Sequence, residues 1–178
     1  MKKFVFTGLC ILAAVQFSYG QVSFSHSFGV AYYASSFAAA PGIMYSPRLN
    51  FVELNDEMTV SVGTHLGLGL VYNSQEGASS FVLDLPLVAE INVGHAANPD
   101  TKSSFGGFAG LGFGINKIGS QGAFGADYND AAGLLFNGGI RAIIKEKPVG
   151  LRLSYLLNAK EGFENVFSIG LFYTFGKF

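Results

Sequence analysis

Apolar side chains recur at every second position through eight separate stretches of this chain, and a period of two belongs to β-strands. The stretches cover residues 22–34, 42–54, 58–72, 81–93, 104–116, 132–144, 149–158 and 166 to the C-terminus. In the first, Val22, Phe24, Phe28, Val30 and Tyr32 alternate with Ser23, Ser25, Ser27, Gly29 and Ala31. In the third, Leu66, Leu68 and Leu70 alternate with His65, Gly67 and Gly69. In the fifth, Leu111, Phe113 and Ile115 alternate with Gly110, Gly112 and Gly114. One face of every stretch is bulky and apolar, and the other is small, glycine-rich or polar.

Two all-β arrangements suit such strands, and charge separates them. In a soluble sandwich the greasy faces meet in a core and the outer faces carry many charges. Here charged residues make up only 13% of the chain, against about 25% in an average soluble domain. The second faces carry glycine instead. Small residues suit the crowded inside of a narrow barrel whose bulky side chains point out into lipid. Backbone groups in lipid must pair internally, and closure leaves no free edge. The fold class expected is therefore a closed antiparallel up-and-down transmembrane β-barrel of eight strands. No mature segment has 18 consecutive apolar residues, so a membrane-spanning helix is not expected.

The first 20 residues read as a secretory leader. Lys2 and Lys3 precede an uncharged apolar run from Phe4 to Val15, and Ser18-Tyr19-Gly20 places small residues before Gln21. The run is shorter than the roughly 20 residues of a spanning helix. Cleavage after Gly20 leaves a barrel domain of residues 21–178. Cys10, the single cysteine, leaves with the leader, so no thiol chemistry is expected in the mature chain. A formal charge of -1 offers nothing to attract nucleic acid.

The links between stretches are expected to alternate between short turns (residues 55–57 and 145–148, with a longer one at 94–102) and loops at 73–79, 117–130 and 159–165. Residues 117–130 read as the longest loop and as the best contact surface. An even strand count places both chain ends in the periplasm. Tyr32, Tyr33, Tyr45, Tyr72, Phe81, Phe105, Tyr155, Tyr173 and Phe175 near strand ends suit an aromatic girdle.

The leader, the eight alternating stretches and the ending Gly170-Leu-Phe-Tyr-Thr-Phe-Gly-Lys-Phe178 together resemble the small outer-membrane β-barrels, the porin-family or outer membrane protein A-like barrels. The resemblance is one of pattern and spans the whole mature chain. It implies a Gram-negative outer membrane, with membrane lipid and the barrel-assembly machinery as partners, and no peptidoglycan-binding domain. It also implies that the last strand, with Tyr173, Phe175 and Phe178, is the assembly signal. Phe178 matches the terminal position, although Ile169, Leu171, Tyr173 and Phe175 alternate out of phase with it.

Six ionisable residues fall on the small faces: Arg48, His65, Asp84, Glu90, Arg141 and Arg152. Charges inside a narrow barrel are costly unless paired, so an internal polar network filling the lumen is expected rather than an open pore. Catalysis by His65 needs a serine within reach and a group orienting the ring. Ser61 shares its face but lies too far along the strand, and His26-Ser27 point to opposite faces. His26, His65 and His95 show no metal-ligand spacing. Asp127-Tyr-Asn-Asp130 lacks the pattern of a calcium loop. Residues 106–114 do not meet GxGxxG. No enzyme, cofactor or metal is expected. The leading expectation is a structural or loop-mediated adhesion role. The alternatives are a narrow channel, a lipid-modifying enzyme and a soluble barrel carrying an apolar ligand.

Overall fold

The computed structural model describes residues 22–36, 38–73, 78–97, 101–122 and 125–175. The leader and Phe178 lie outside the described residues. Among the described residues nine antiparallel strands occur in chain order: β1 (Ser23–Ala34), β2 (Ala39–Asn55), β3 (Met58–Gly63), β4 (Leu66–Asn73), β5 (Ala78–Gly94), β6 (Phe105–Gly122), β7 (Gly125–Ile144), β8 (Lys147–Asn158) and β9 (Val166–Phe175). Except for β3 and β4, each pairs with its sequence neighbours, and β1 also pairs with β9, so the sheet closes. β3 and β4 both lie between β2 and β5 and together make one wall position. The result is a ring of eight.

The interruption of that third wall position was not expected and has a local cause. The register continues from Arg48↔Gly63 to Tyr45↔Leu66 on one side, and from Gly63↔Val88 to Gly67↔Asp84 on the other. Thr64 therefore faces Pro47, and His65 faces Pro86. Proline has no N–H to give the ladder. Only Thr64 N–H bonds Pro47 O (3.1 Å), while the Thr64 hydroxyl turns to Pro86 O. Two prolines on flanking strands thus remove the donors that would have kept this strand whole.

Burial alternates as the pattern requires. Leu68, Leu85 and Leu153 are 60%, 43% and 45% exposed, while Arg141 and Arg152 are 4% and 5% exposed. The bulky faces form a continuous outer apolar belt, and the charges lie inside. Inward glycines let the sheet curve. A side chain on Gly112 would drive its Cβ into the Leu87 carbonyl oxygen of the paired strand.

Three expectations are corrected. Residues 117–130 are not a loop: β6 and β7 stay paired from Lys117↔Asp130 to Gly122↔Gly125. Polar side chains on this part hid the period of two, because strands that run past the lipid belt need no apolar outer face. Tyr33 is not in a girdle. It shares the parity of Ser25 and Ser27, points inward and is buried. The inner face is also less uniformly small than its glycine content implies, since Met44, Phe108, Leu135, Leu156 and Phe172 are buried within the ring.

The two ends of the barrel differ. One end carries the tight turns at residues 56–57 and 145–146, together with the longer link 95–104. The other carries the connections at residues 35–38 and 159–165 and the tall β6–β7 hairpin. At the turn end, Lys145 and Glu146 have φ of 49° and 64° between the paired Ile144 and Lys147. Two consecutive left-handed residues make the type I′ hairpin geometry that Asn-Gly adopts best. Replacing Lys145 with Asn and Glu146 with Gly is expected to stabilise the barrel by about 1–2 kcal/mol, read as a shift of the urea midpoint at unchanged slope.

Candidate functional site

The interior is a layered packing of polar and apolar groups. Toward the turn end, Asn92 is a hub. Its Oδ1 accepts from Arg48 Nη1 (2.5 Å) and Arg141 Nη1 (2.9 Å), and its Nδ2 donates to Ser61 Oγ (2.8 Å). Arg48 Nε donates to Ser25 Oγ (3.0 Å), and its Nη2 donates to the Ala96 carbonyl. Thr59 Oγ1 donates to Ala97 O (2.7 Å). The link after β5 thus tucks Ala96 and Ala97, both fully buried, beneath the lumen and closes that end.

Glu90 stands between two arginines. Its carboxylate lies 3.5 Å from Arg152 and 4.0 Å from Arg141, and Asn137 Nδ2 donates to it. Arg152 Nη1 donates to Ser46 Oγ (2.7 Å). The Arg141 and Arg152 guanidinium carbons sit 4.2 Å and 5.1 Å from the Phe108 ring centre. The second carboxylate has a different partner set. Asp84 accepts from Asn116 Nδ2 (2.8 Å) and lies 3.9 Å from His65 Nε2. All six sequence-selected ionisable residues are buried inside the ring. They form two groups, Arg48, Glu90, Arg141 and Arg152 in one and His65 with Asp84 in the other, linked through Ser154, which donates to Asn137 (3.2 Å) and approaches His65. Closer to the loop end Tyr33, Ala38, Ala40, Val82 and Ile118 close the interior with apolar contact.

Ser154, rather than Ser61, comes near His65, with Oγ 3.4 Å from Nε2. A serine, a histidine and an aspartate therefore converge, but not as a catalytic relay. Ser154 and Asp84 both approach Nε2, while Nδ1 has no hydrogen-bond partner among the described residues. A relay needs the carboxylate on the second ring nitrogen. All three side chains are buried.

The most built feature outside the lumen is at the loop end. β8 begins to pair with β7 only at Gly133↔Asn158, so the part of β7 before it would leave a bare edge. Residues 159–165 cover it. Asn129 Nδ2 donates to Glu164 O (2.9 Å), and Glu164 N donates back to Asn129 Oδ1 (2.8 Å). Asn158 Nδ2 donates to the Lys160 and Phe163 carbonyls, and its Oδ1 accepts from the Lys160 and Ala132 amides. Lys160 and Lys117 both reach Asp130, at 2.7 Å and 3.8 Å. The hydrogen bond from Lys160 is the main reason the Asp130 carboxyl is held below its ordinary range. Tyr128 and Phe163 pack ring to ring at 5.7 Å. Asn158→Ala is expected to release residues 159–165 while the ring stays closed, since several bonds worth about 0.5–1.5 kcal/mol each are lost locally. Trypsin cutting at Lys160 at least tenfold faster, with unchanged heat modifiability on a gel, is the outcome that checks it.

Tyr173 and Phe175 lie on β9, where their rings meet at 4.8 Å. What sequence reasoning missed inside the lumen is mainly apolar: Tyr33, Met44, Phe108 and Phe172. Their parity was the available signal.

Comparison with known proteins agrees with this geometry. No family model matches the chain, and no curated protein matches it. Among solved structures it is similar to Ail, the attachment invasion locus protein of Yersinia pestis, at 13% identity and a TM-score of 0.55, covering 88% of this chain and 99% of that one. Ail in complex with the heparin analogue sucrose octasulfate matches at 14% identity and a TM-score of 0.53, covering 88% of this chain and 100% of that one. Neisserial surface protein A matches at 18% identity and a TM-score of 0.49, covering 87% and 97%. With a closed ring of eight antiparallel strands, an apolar outer belt and a filled interior, the chain has the fold of the small eight-stranded outer-membrane β-barrels.

Proposed function

We propose that the protein is a non-enzymatic outer-membrane barrel that acts through the surface at its loop end, in adhesion or recognition, with the lumen as structural filling. The observation that carries this reading is the contrast between inside and rim. The polar cavity among Arg48, Arg141, Arg152 and Glu90 holds about 10 Å³, roughly one water, which does not suit a solute path. The rim, in contrast, spends a network of bonds from Asn129, Asn158 and Lys160 on fixing a short segment against the β6–β7 arm. Rigid display lowers the ordering cost of binding. The short turns suit the periplasmic side and the arm the cell exterior.

Ail's name supports an attachment role for barrels of this shape. Its sulfated ligand does not transfer. The arm and its covering segment carry Asp127, Asp130, Glu161 and Glu164 against Lys117 and Lys160, a balance that repels a polyanion. The exposed Tyr128 beside Phe163 suits a protein surface better, because aromatics anchor such contacts.

The test pairs attachment with conductance. Cells displaying the protein are expected to adhere to a host-cell layer, and Tyr128→Ala with Phe163→Ala to reduce attachment at least fivefold at equal surface expression. Planar bilayers are expected to stay silent, and lipid A to keep its mass. Steady openings that change with Arg152→Ala would make the protein a channel. Altered lipid A would make it an enzyme.

A further inference from the structure

Three arginines meet in the lumen around one carboxylate. Arg48, Arg141, Arg152 and Glu90 line the same small cavity, together with Ser25 and Ser46. Glu90 lies within ion-pair distance of Arg141 and Arg152 and attracts Arg48 from farther off, so one carboxylate is shared among three arginines. Arg48 bonds only neutral acceptors in its described contacts, namely Ser25, Asn92 and the Ala96 carbonyl. The other lumen carboxylate, Asp84, accepts from Asn116 and faces His65; its field reaches Arg152, so two carboxylates stand against three arginines. Arg152 Nε has no acceptor among the described residues. Buried charge without a counter-charge is strongly unfavourable. The Phe108 ring face, which takes Arg141 and Arg152, attracts cations but does not neutralise them.

We infer that this cavity binds one small monovalent anion, chloride under ordinary conditions, as the missing counter-ion. Size selects it. About 10 Å³ holds roughly one water-sized particle, which excludes sulfate, phosphate and organic anions. The hydroxyls fit as donors. Ser25 Oγ already accepts from Arg48 Nε (3.0 Å), and Ser46 Oγ from Arg152 Nη1 (2.7 Å). A hydroxyl that accepts from a guanidinium still has its own proton to give, and both serines stand at the cavity wall. A water would fill the space and use the same hydroxyls, but it would leave the charge unbalanced. Every lining group named is buried, so the ion would be held away from solvent screening. Its role is to let a narrow barrel keep three arginines in its interior.

The exported chain, refolded in detergent micelles, tests this in two ways. Crystals grown in bromide should show an anomalous peak among Arg48, Arg141 and Arg152. Melting in chloride should exceed melting in gluconate at equal ionic strength by about 2–4 °C, the shift that a tenfold-scale linkage gives a barrel of this size, and the gain should saturate. Arg48→Met, which removes the excess charge, should abolish the chloride gain. A cavity without anomalous signal, equal melting in the two salts, or a chloride gain that survives Arg48→Met would each overturn the inference. If Arg48→Met does not fold, the bromide measurement on the unaltered chain still decides it.

Discussion

Glu90→Gln is expected to cost about 3–5 kcal/mol, the usual penalty for breaking a buried ion pair from one side. The substitution keeps the shape and a hydrogen-bonding group but leaves Arg141 and Arg152, both buried, with no carboxylate at 4.0 Å and 3.5 Å. The loss should appear as a lower urea midpoint at unchanged slope. The same change at the exposed Glu161 is expected to stay within about 0.5 kcal/mol. Adding Arg152→Leu to Glu90→Gln should recover part of the loss, because a buried pair replaced by apolar groups of similar volume is often close to neutral. A Glu90 variant as stable as the parent would mean that the lumen charges are solvated and that the interior is wetter and wider than described.

Leu87→Arg is the second large effect, and it separates a membrane barrel from a water-soluble one. Leu87 is the central outward position of β5, between Phe81 and Val93, and all three are exposed. In a bilayer an arginine at mid-height on the lipid face costs about 2–4 kcal/mol, falling to about 0–1 kcal/mol near the interface. Leu87→Arg should therefore destabilise strongly and Val93→Arg only slightly, in folding titrations into lipid vesicles. In a soluble barrel both would be ordinary surface substitutions within about 0.5 kcal/mol. The gradient along one strand carries the information, because a general intolerance of charge would not depend on depth.

How much of this was legible in the sequence differs from element to element. Leu85 beside Asp84 shows why the wall was readable. Hydrocarbon outside accepts only apolar groups, and a period of two then places the polar neighbour inside. The same rule fails above the lipid belt. Lys117 to Asp130 continue as paired strand, but water accepts any side chain there, so no pattern is enforced. The gap at Thr64 and His65 was hidden for another reason. Its cause, Pro47 and Pro86, lies on two other strands, and only the register brings them alongside. Charge pairing was equally out of reach. Parity puts Arg48, Asp84, Glu90, Arg141 and Arg152 inside, but which of them meet depends on strand stagger around the ring. Ser154 and His65, 89 residues apart, show how far that stagger carries partners. Tyr33, Met44, Phe108 and Phe172 have inward parity but went unread, because glycine on the same faces suggests a lumen lined mainly by small groups and Tyr33 reads as part of the girdle.

Which way the wall residues of β5 look decides between a membrane barrel and a soluble one, and the chain suits a direct measurement. Its single cysteine is Cys10, so with Cys10→Ser in the background one cysteine at a time can be placed at each position from 84 to 92 and spin-labelled in the vesicle-inserted protein. Labels at 85, 87, 89 and 91 should collide freely with membrane-dissolved oxygen, and those at 84, 86, 88, 90 and 92 should be shielded, giving an unbroken period of two. Oxygen contact at the even positions with shielding at the odd ones, or no period at all, would contradict it.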